Sequence, residues 1–152
     1  SSFYAVDRFA SYKTDWGAFY REGGLVLSDR YTTSNAVHQC SKLPPAQWDG
    51  FLNWLFDFEY KKIGIPEPDL VLYLAVDPEV SQKLLENRYH GDESKKDIQE
   101  KDREYMARSR AAAEYCARTL GWQRIECTCA GRAMRPVEEI NAEILAKTDR
   151  IL

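Results

Sequence analysis

The sequence lacks the features that mark several common classes of protein. It has only two histidines, and its four cysteines form no CxxC pair, so neither a zinc site nor a disulfide framework is predicted. No hydrophobic run approaches the ~20 residues that a membrane-spanning helix requires. The formal net charge is -3 and no basic stripe is visible, which disfavours a non-specific nucleic-acid binder. Together these absences predict a soluble, cytoplasmic protein that binds neither nucleic acid nor a membrane.

The sequence does contain enough apolar material for a core. Its 152 residues, 44% of them hydrophobic, predict a single domain over 1–152. Apolar spacing predicts helices over 3–20, 46–62, 78–88, 98–120 and from 135 onward, and strands over 25–27, 70–76 and 123–128. Helices alternating with strands in this order predict an α/β layered fold with a parallel sheet.

The segment after the first predicted strand contains a candidate ligand site. Leu25, Val26 and Leu27 predict a short strand buried on both faces. In open α/β sheets the ligand lies just beyond the carboxyl ends of the strands. Arg30 would present a planar, five-donor fork there, which suits a phosphate or a carboxylate. A surface ion pair between Asp29 and Arg30 explains the same two residues equally well.

A second candidate is an aromatic and a basic residue on the first predicted helix. Tyr4 and Arg8 are four residues apart, so their side chains share one helix face. The ring could stack on a nucleobase while the guanidinium donates to a carbonyl on the base edge. A cation-π or packing pair on a surface helix is the alternative interpretation.

Residues 86–104 form the most highly charged segment of the sequence. Twelve of the nineteen side chains are charged, and both signs are present. A segment so poor in apolar residues cannot be core. It is therefore predicted to be a solvated linker or a flap over a charged ligand.

Three motifs stand in order along the chain: Phe-Tyr4-Ala-Val-Asp-Arg8, Asp29-Arg30-Tyr31-x-x-Ser34-Asn35, and Pro68-Asp69-Leu-Val-Leu-Tyr-Leu. In order and spacing they resemble the thymidylate (dTMP) kinase family, and the resemblance covers essentially the whole chain. Related deoxynucleoside kinases usually carry Glu-Arg-Ser at the position of the second motif. The resemblance implies a three-layer, P-loop NTPase-like fold with a parallel sheet flanked by helices. It also implies transfer of the γ-phosphoryl group of ATP to dTMP, which gives dTDP.

The resemblance implies a set of residues that bind dTMP. Tyr4 occupies the position where the family usually has a phenylalanine stacked on thymine, and Arg8 matches the arginine that binds the O4 edge. Ser34 and Asn35 are assigned to the same site, with Asn35 beside the nucleobase and the sugar. His38 replaces an aromatic residue, often tyrosine, that packs near the 2′ carbon of the sugar. This replacement leaves discrimination against ribonucleotides open.

The resemblance also implies residues for the chemical step. Arg30 matches the arginine that holds the acceptor phosphate and stabilises charge during phosphoryl transfer. Asp29 would lie near Mg²⁺ and the phosphates, or would orient Arg30. The implied cofactor is Mg²⁺, with ATP as the co-substrate.

The charged segment then corresponds to a lid, over about 89–99, that closes on ATP. Arg88 resembles the arginine that packs against the adenine. Lys95 and Lys96 are the catalytic candidates for contact with the transferring phosphate, and Glu100 would approach Mg²⁺ or the acceptor nucleotide. A solvated charged loop is the alternative interpretation of these four residues.

The glycine-rich phosphate loop of the family, G-x-x-x-x-G-K-[ST], does not occur in the sequence. We expect it upstream of Ser1, so that the chain would be the carboxyl-terminal three-quarters of a dTMP kinase domain and inactive alone. A catalytically inactive nucleotide-binding module, or a kinase for another deoxynucleotide or deoxynucleoside, remains an alternative. The resemblance further implies a homodimer built through the helix that carries Tyr4 and Arg8.

Overall fold

The computed structural model describes residues 2–88, 103–130 and 133–151, which combine helices with a small parallel sheet. The described residues divide between two compact units. Within the described residues, the first draws on 2–67 and 107–113, and the second on 68–88, 103–106, 114–130 and 133–151. None of the helices within these ranges is both long enough and apolar enough to cross a membrane.

The first unit begins with a continuous helical segment, as the spacing of apolar residues over 3–20 predicts. Helix α1 (Ser2–Ser11) passes into a π-helical turn (Tyr12–Trp16) and then into α2 (Gly17–Arg21). Ala5 and Tyr12 are its buried apolar side chains. Trp16 contacts Tyr31 edge to face, with the ring centroids 6.4 Å apart. This aromatic contact joins the first helical segment to the residues that carry the second sequence motif.

Three further helical stretches complete the N-terminal part of this unit. They are α3 (Thr32–Cys40), a 3₁₀ turn (Pro45–Gln47) and α4 (Trp48–Phe56), which continues as a π-helical turn (Asp57–Ile63). Gly64 ends the turn in the left-handed region, at φ 79°, where glycine carries no steric penalty. The predicted helix over 46–62 is therefore confirmed, and its last two turns are wound more loosely than an α-helix.

The second unit is built on two parallel strands. Strands β1 (Leu72–Ala75) and β2 (Gln123–Glu126) pair with Leu74 opposite Ile125. The helices of the C-terminal half are α5 (Pro78–Arg88), α6 (Arg103–Thr119) and α7 (Val137–Thr148). The predicted parallel pairing of these two strands is confirmed. Both strands are shorter than predicted, and Thr128 forms an isolated antiparallel bridge with Met134 instead of extending β2.

The predicted strand over Leu25–Leu27 is wrong. These residues belong to no strand, and Leu25 and Leu27 are 61% and 93% exposed rather than buried. A strand is stable only where a neighbouring strand satisfies its N–H and C=O groups. Among the described residues no strand pairs with this segment. Its apolar composition alone could not supply that partner.

The rest of the predicted architecture stays a prediction. Two strands are present in the described residues, which is compatible with an α/β fold but does not establish three layers. The predicted lid over 89–99 lies outside the residues that the structure describes.

Candidate functional site

An acidic residue, Glu59, is fully buried in the π-helical turn that follows α4, with 0% of its side chain exposed. It continues the buried stripe of that helix, since Trp48, Leu52 and Leu55 precede it at helical spacing. Its backbone carbonyl oxygen accepts a 3.1 Å hydrogen bond from the N–H of Gly64 at the end of the turn. A carboxylate buried to this degree requires partners that balance its charge and fill its lone pairs.

Three side chains from two other helices donate to this carboxylate. Arg8 on α1 forms a two-point pair, with Nε 2.8 Å from Oε2 and Nη2 2.6 Å from Oε1. Thr32 on α3 donates its hydroxyl to Oε2 at 3.1 Å, and Asn35 donates its amide Nδ2 to Oε1 at 3.3 Å. We call Glu59, Arg8, Thr32 and Asn35 the Glu59 cluster. It joins α1, α3 and the turn after α4 through one buried acid.

Two tyrosines next to the cluster are held in their neutral form. Burial raises the pKa of Tyr31, with the Arg8 guanidinium opposing this rise and the Glu59 carboxylate adding to it. The Tyr31 hydroxyl donates to the carbonyl oxygen of Pro66 at 2.8 Å. Burial likewise raises the pKa of Tyr60, against the effect of a hydrogen bond with Thr32. The Glu59 carboxylate itself is 0% exposed, so a hydrogen bond or charge pair to it is stronger than in water.

Arg30, the candidate phosphate-binding residue, is exposed and has an unusual backbone. Its φ is 69°, the left-handed region, which costs a non-glycine residue about 1–2 kcal/mol. The Ser28 hydroxyl donates to the Arg30 carbonyl oxygen at 2.7 Å and supports this turn. In the described part of the chain, neither Arg30 nor Asp29 forms an ion pair. The surface ion pair between them, one interpretation of the sequence, is therefore not present.

His38 lies on α3 and is half-buried. Burial lowers its pKa from the ordinary 6.5, and the positive charges of Arg30 and Lys42 lower it further. The imidazole is consequently neutral at physiological pH. A neutral ring beside two cations suits packing and hydrogen bonding better than proton donation.

Of the remaining predicted site residues, some lie within the described part of the chain and others lie outside it. Tyr4 is exposed on α1, and Ser34 is half-buried on α3, where its N–H donates to the carbonyl oxygen of Tyr31 at 3.0 Å. Arg88 is the last residue of α5, and its side chain is outside the description. Lys95, Lys96 and Glu100 also lie outside the described residues. The structure thus brings Arg8 and Asn35 together through Glu59 and leaves the lid residues a prediction.

Sequence reasoning missed Glu59, although the sequence held a signal for it. The apolar stripe of the second predicted helix runs through Trp48, Leu52 and Leu55, and the next position at that spacing is acidic. An acid on a buried stripe is rare unless it is paired. That position therefore implied a buried cation from elsewhere in the chain, although spacing alone could not identify the cation as Arg8.

Within the described residues, the second unit also contains an arginine–glutamate pair with two-point geometry. Arg124 donates from Nε to Glu114 Oε2 at 3.2 Å and from Nη2 to Oε1 at 3.3 Å. Both residues line a cavity of about 120 Å³ together with Arg118 and Trp122. Ligand pockets usually have volumes of ~300 Å³ or more. This cavity is too small to hold a nucleotide.

Curated proteins named thymidylate kinase are similar to this chain. The one from Mycobacterium tuberculosis is 30% identical over 124 residues, which are 80% of this chain and 56% of that protein. A probable thymidylate kinase from Staphylothermus marinus is 34% identical over 80 residues, or 53% of this chain and 36% of that protein. Another from Pyrobaculum calidifontis is 26% identical over 149 residues, or 98% of this chain and 66% of that protein.

The chain therefore spans between 36% and 66% of the length of these relatives. No family model matches it. The similarity supports the resemblance that the three sequence motifs indicated.

Proposed function

We propose that the protein containing this chain is a thymidylate kinase. It would transfer the γ-phosphoryl group of ATP to a 5′-phosphate oxygen of dTMP and release dTDP and ADP. One observation carries the proposal: Arg8 and Asn35, two of the three residues expected at the base, are hydrogen-bonded to the same buried carboxylate. The similarity to curated thymidylate kinases supports it.

In this proposal the base lies against the first unit. The exposed ring of Tyr4 would stack on the pyrimidine, and Arg8 would donate to its O4 from the part of the guanidinium that Glu59 does not use. Asn35 and Ser34 would border the base and the sugar. His38, neutral and half-buried, would pack near the sugar.

The phosphate end of dTMP would be bound by Arg30. Its guanidinium is exposed and makes no ion pair among the described residues, so all five of its N–H donors could serve a phosphate. Phosphoryl transfer between two anions depends on positioning and on neutralising charge. Arg30 would perform both tasks at the acceptor side.

Asp29 is a suitable ligand for the Mg²⁺ ion that accompanies ATP. Mg²⁺ in kinases is usually bound by one or two carboxylates together with substrate phosphates and water. Asp29 is exposed and makes no ion pair with the residues that the structure describes, so it suits that role, and Glu100 is proposed as a second carboxylate. When bound, the ion would supply charge neutralisation at the phosphates. Asp29 precedes Arg30 in the second sequence motif, so its negative charge would also balance the positive charge of that guanidinium.

The ATP side of the proposal rests on the resemblance alone. Arg88 would pack against the adenine, and Lys95 and Lys96 would contact the transferring phosphate when the lid closes. A closed lid would exclude water, which could otherwise accept the phosphoryl group.

The test is a steady-state kinase assay on the full-length protein with ATP and a panel of dTMP, dUMP, dCMP and dGMP. The proposal expects the highest kcat/KM with dTMP. Arg30→Ala should lower kcat by about 10²–10³-fold, as loss of a charge-stabilising group does, while Arg30→Lys keeps part of the activity. Tight binding of dTMP without turnover would instead favour the inactive nucleotide-binding module. Faster turnover of another nucleotide would favour the alternative kinase.

The proposal includes a homodimer formed through the first helical segment. Phe3 and Val6 on α1 and Phe19 on α2 are large apolar side chains left exposed in the described structure. Light scattering should give twice the monomer mass, and Phe3→Glu with Val6→Glu should return the monomer. A monomeric wild-type protein would remove this part of the proposal.

A further inference from the structure

The Glu59 carboxylate accepts hydrogen bonds on both of its oxygens, and every one of its partners is a donor. Oε1 receives Arg8 Nη2 and Asn35 Nδ2, and Oε2 receives Arg8 Nε and the Thr32 hydroxyl. With 0% exposure, the carboxylate has no solvent to replace a lost partner. The arrangement of these side chains around it is therefore strongly determined.

One consequence is that the free edge of Arg8 is fixed. Nε and one Nη2 hydrogen are used on Glu59, so the hydrogens left for a ligand are those of Nη1 and the second one of Nη2. The Arg8 side chain keeps 16% of its surface exposed, so this edge is not sealed off. A guanidinium only donates hydrogen bonds. This edge can therefore bind a carbonyl oxygen of a ligand, whereas an amino group would place donor against donor.

A second consequence is that the amide of Asn35 has one orientation. A carboxylate paired with arginine only accepts, so Asn35 must turn its NH₂ group toward Glu59, as it does at 3.3 Å. The carbonyl oxygen Oδ1 then points away from Glu59 and acts as an acceptor. This oxygen can accept a hydrogen bond from a ring N–H, whereas a ring nitrogen without a hydrogen would place acceptor against acceptor.

We propose that Glu59 is the positioning residue that sets which pyrimidine this site accepts. It fixes Arg8 as a donor and Asn35 as an acceptor, a pair that matches a base with a carbonyl at C4 and an N–H at N3. A base with an amino group at C4 and a bare N3 meets a donor with a donor and an acceptor with an acceptor. The inference rests on the proposed function, because it assumes that the base lies beside these two residues.

Glu59→Gln tests the inference because it preserves the shape of the side chain. A glutamine presents one acceptor oxygen and one NH₂ group, so in either placement of its amide the NH₂ group faces one of the two Arg8 N–H groups that the carboxylate accepts. When the NH₂ group lies at the Oε1 position, Asn35 must turn its Oδ1 toward it and no longer presents that oxygen to the base. We expect the KM for dTMP to rise about tenfold or more, with kcat at saturating dTMP within a fewfold of wild type. The ratio of kcat/KM for dTMP to that for dCMP should fall at least about tenfold.

Glu114→Gln is the matched control. It removes a charge from another two-point arginine pair, but that pair is part-exposed and outside the proposed site. Its dTMP:dCMP ratio should equal that of the wild type. An equal fall in both variants would overturn the inference, since it would then reflect a general loss of charge.

The outcomes separate this inference from the proposed function. A wild-type protein that phosphorylates no dTMP contradicts the proposed function, whatever Glu59 does. An active wild type whose KM and dTMP:dCMP ratio are unchanged by Glu59→Gln overturns the inference alone. If that variant does not fold, Glu59→Asp is the second test of the inference. It keeps the charge and moves the carboxylate one methylene away from its partners. Its ratio should fall at least about threefold, and an unchanged ratio overturns the inference.

Discussion

Among the described residues, each of the two units contains an arginine that donates to one glutamate at two points. The two pairs differ in burial and in their further partners, since Arg124 also pairs with Glu126. In the Arg8–Glu59 pair the side chains are 16% and 0% exposed, whereas in the Arg124–Glu114 pair they are 37% and 35% exposed. The hydrogen-bond distances are 2.6–2.8 Å in the buried pair and 3.2–3.3 Å in the exposed one. We therefore expect the two pairs to contribute differently to the free energy of unfolding.

The environment of such a pair, rather than the types of its partners, should set its effect on stability. Water still reaches both charges of the Arg124–Glu114 pair, which is about one third exposed, so we expect less to be lost when one of them is removed. The buried pair has already lost its water, so removing one partner leaves an uncompensated charge. The buried pair also holds Thr32 and Asn35, which extends its influence to α3.

The largest difference is expected from single truncations. Glu59→Ala should lower the free energy of unfolding by about 3–5 kcal/mol, because it leaves Arg8 buried and unpaired. Glu114→Ala should lower it by less than about 1 kcal/mol. Urea unfolding followed by tryptophan fluorescence measures both. Equal losses in the two variants would remove the distinction between the pairs.

A double-mutant cycle sharpens the same comparison by isolating the pairwise energy. Combining Arg8→Met with Glu59→Met removes both buried charges, so the double variant should be more stable than the singles predict, with a coupling of about 2–3 kcal/mol. Thr32 and Asn35 still lose their acceptor, so wild-type stability should not return. The cycle of Arg124→Met with Glu114→Met should give about 0.2–1 kcal/mol. A coupling energy larger in the Arg124–Glu114 pair than in the Arg8–Glu59 pair would contradict the expected effect of burial.

Salt should separate the two pairs further. Raising the ionic strength from about 0.05 M to about 1 M shortens the screening length to roughly 3 Å, which weakens exposed pairs first. The Arg124–Glu114 coupling should fall by at least half, and the Arg8–Glu59 coupling should change little. Repeating both cycles at the two salt concentrations provides the measurement. A buried coupling that falls in parallel would mean that water reaches Glu59.

The smallest expected effect concerns His38, also in the first unit. Its pKa in the folded state lies below the ordinary 6.5, so the unfolded chain binds a proton first as the pH falls. The free energy of unfolding should therefore decrease as pH drops from about 6.5 through the folded-state pKa, with no effect above about pH 8. The wild type minus His38→Gln difference in urea unfolding isolates this effect. A difference independent of pH would show that burial does not shift this imidazole.

The sequence predicted the helices better than the sheet, for a physical reason. Helical hydrogen bonds are local, so the spacing over 3–20 and 46–62 was enough to predict both segments. A strand depends on a partner elsewhere in the chain, and the spacing of Leu25–Leu27 contains no information about that partner. Strands β1 and β2 form within their predicted ranges, although both are shorter than predicted, because each supplies the other's partner.

The candidate site was also predicted in part. Arg8 and Asn35 were identified through their motifs, and the structure joins them through hydrogen bonds to one residue. That residue, Glu59, lies 51 positions from Arg8 and belongs to none of the three motifs. Long-range pairing of a buried acid depends on the fold, and motif matching does not report it. The left-handed backbone conformation of Arg30 could not be predicted from the sequence either, since arginine does not favour that conformation.

The most direct test is a crystal structure of the full-length protein with dTMP bound. We expect Arg8 to donate to O4 of the base while it remains paired with Glu59, and Asn35 Oδ1 to accept from N3–H. A nucleotide bound away from these residues, or an Arg8 that leaves Glu59 to reach the base, would contradict this expectation.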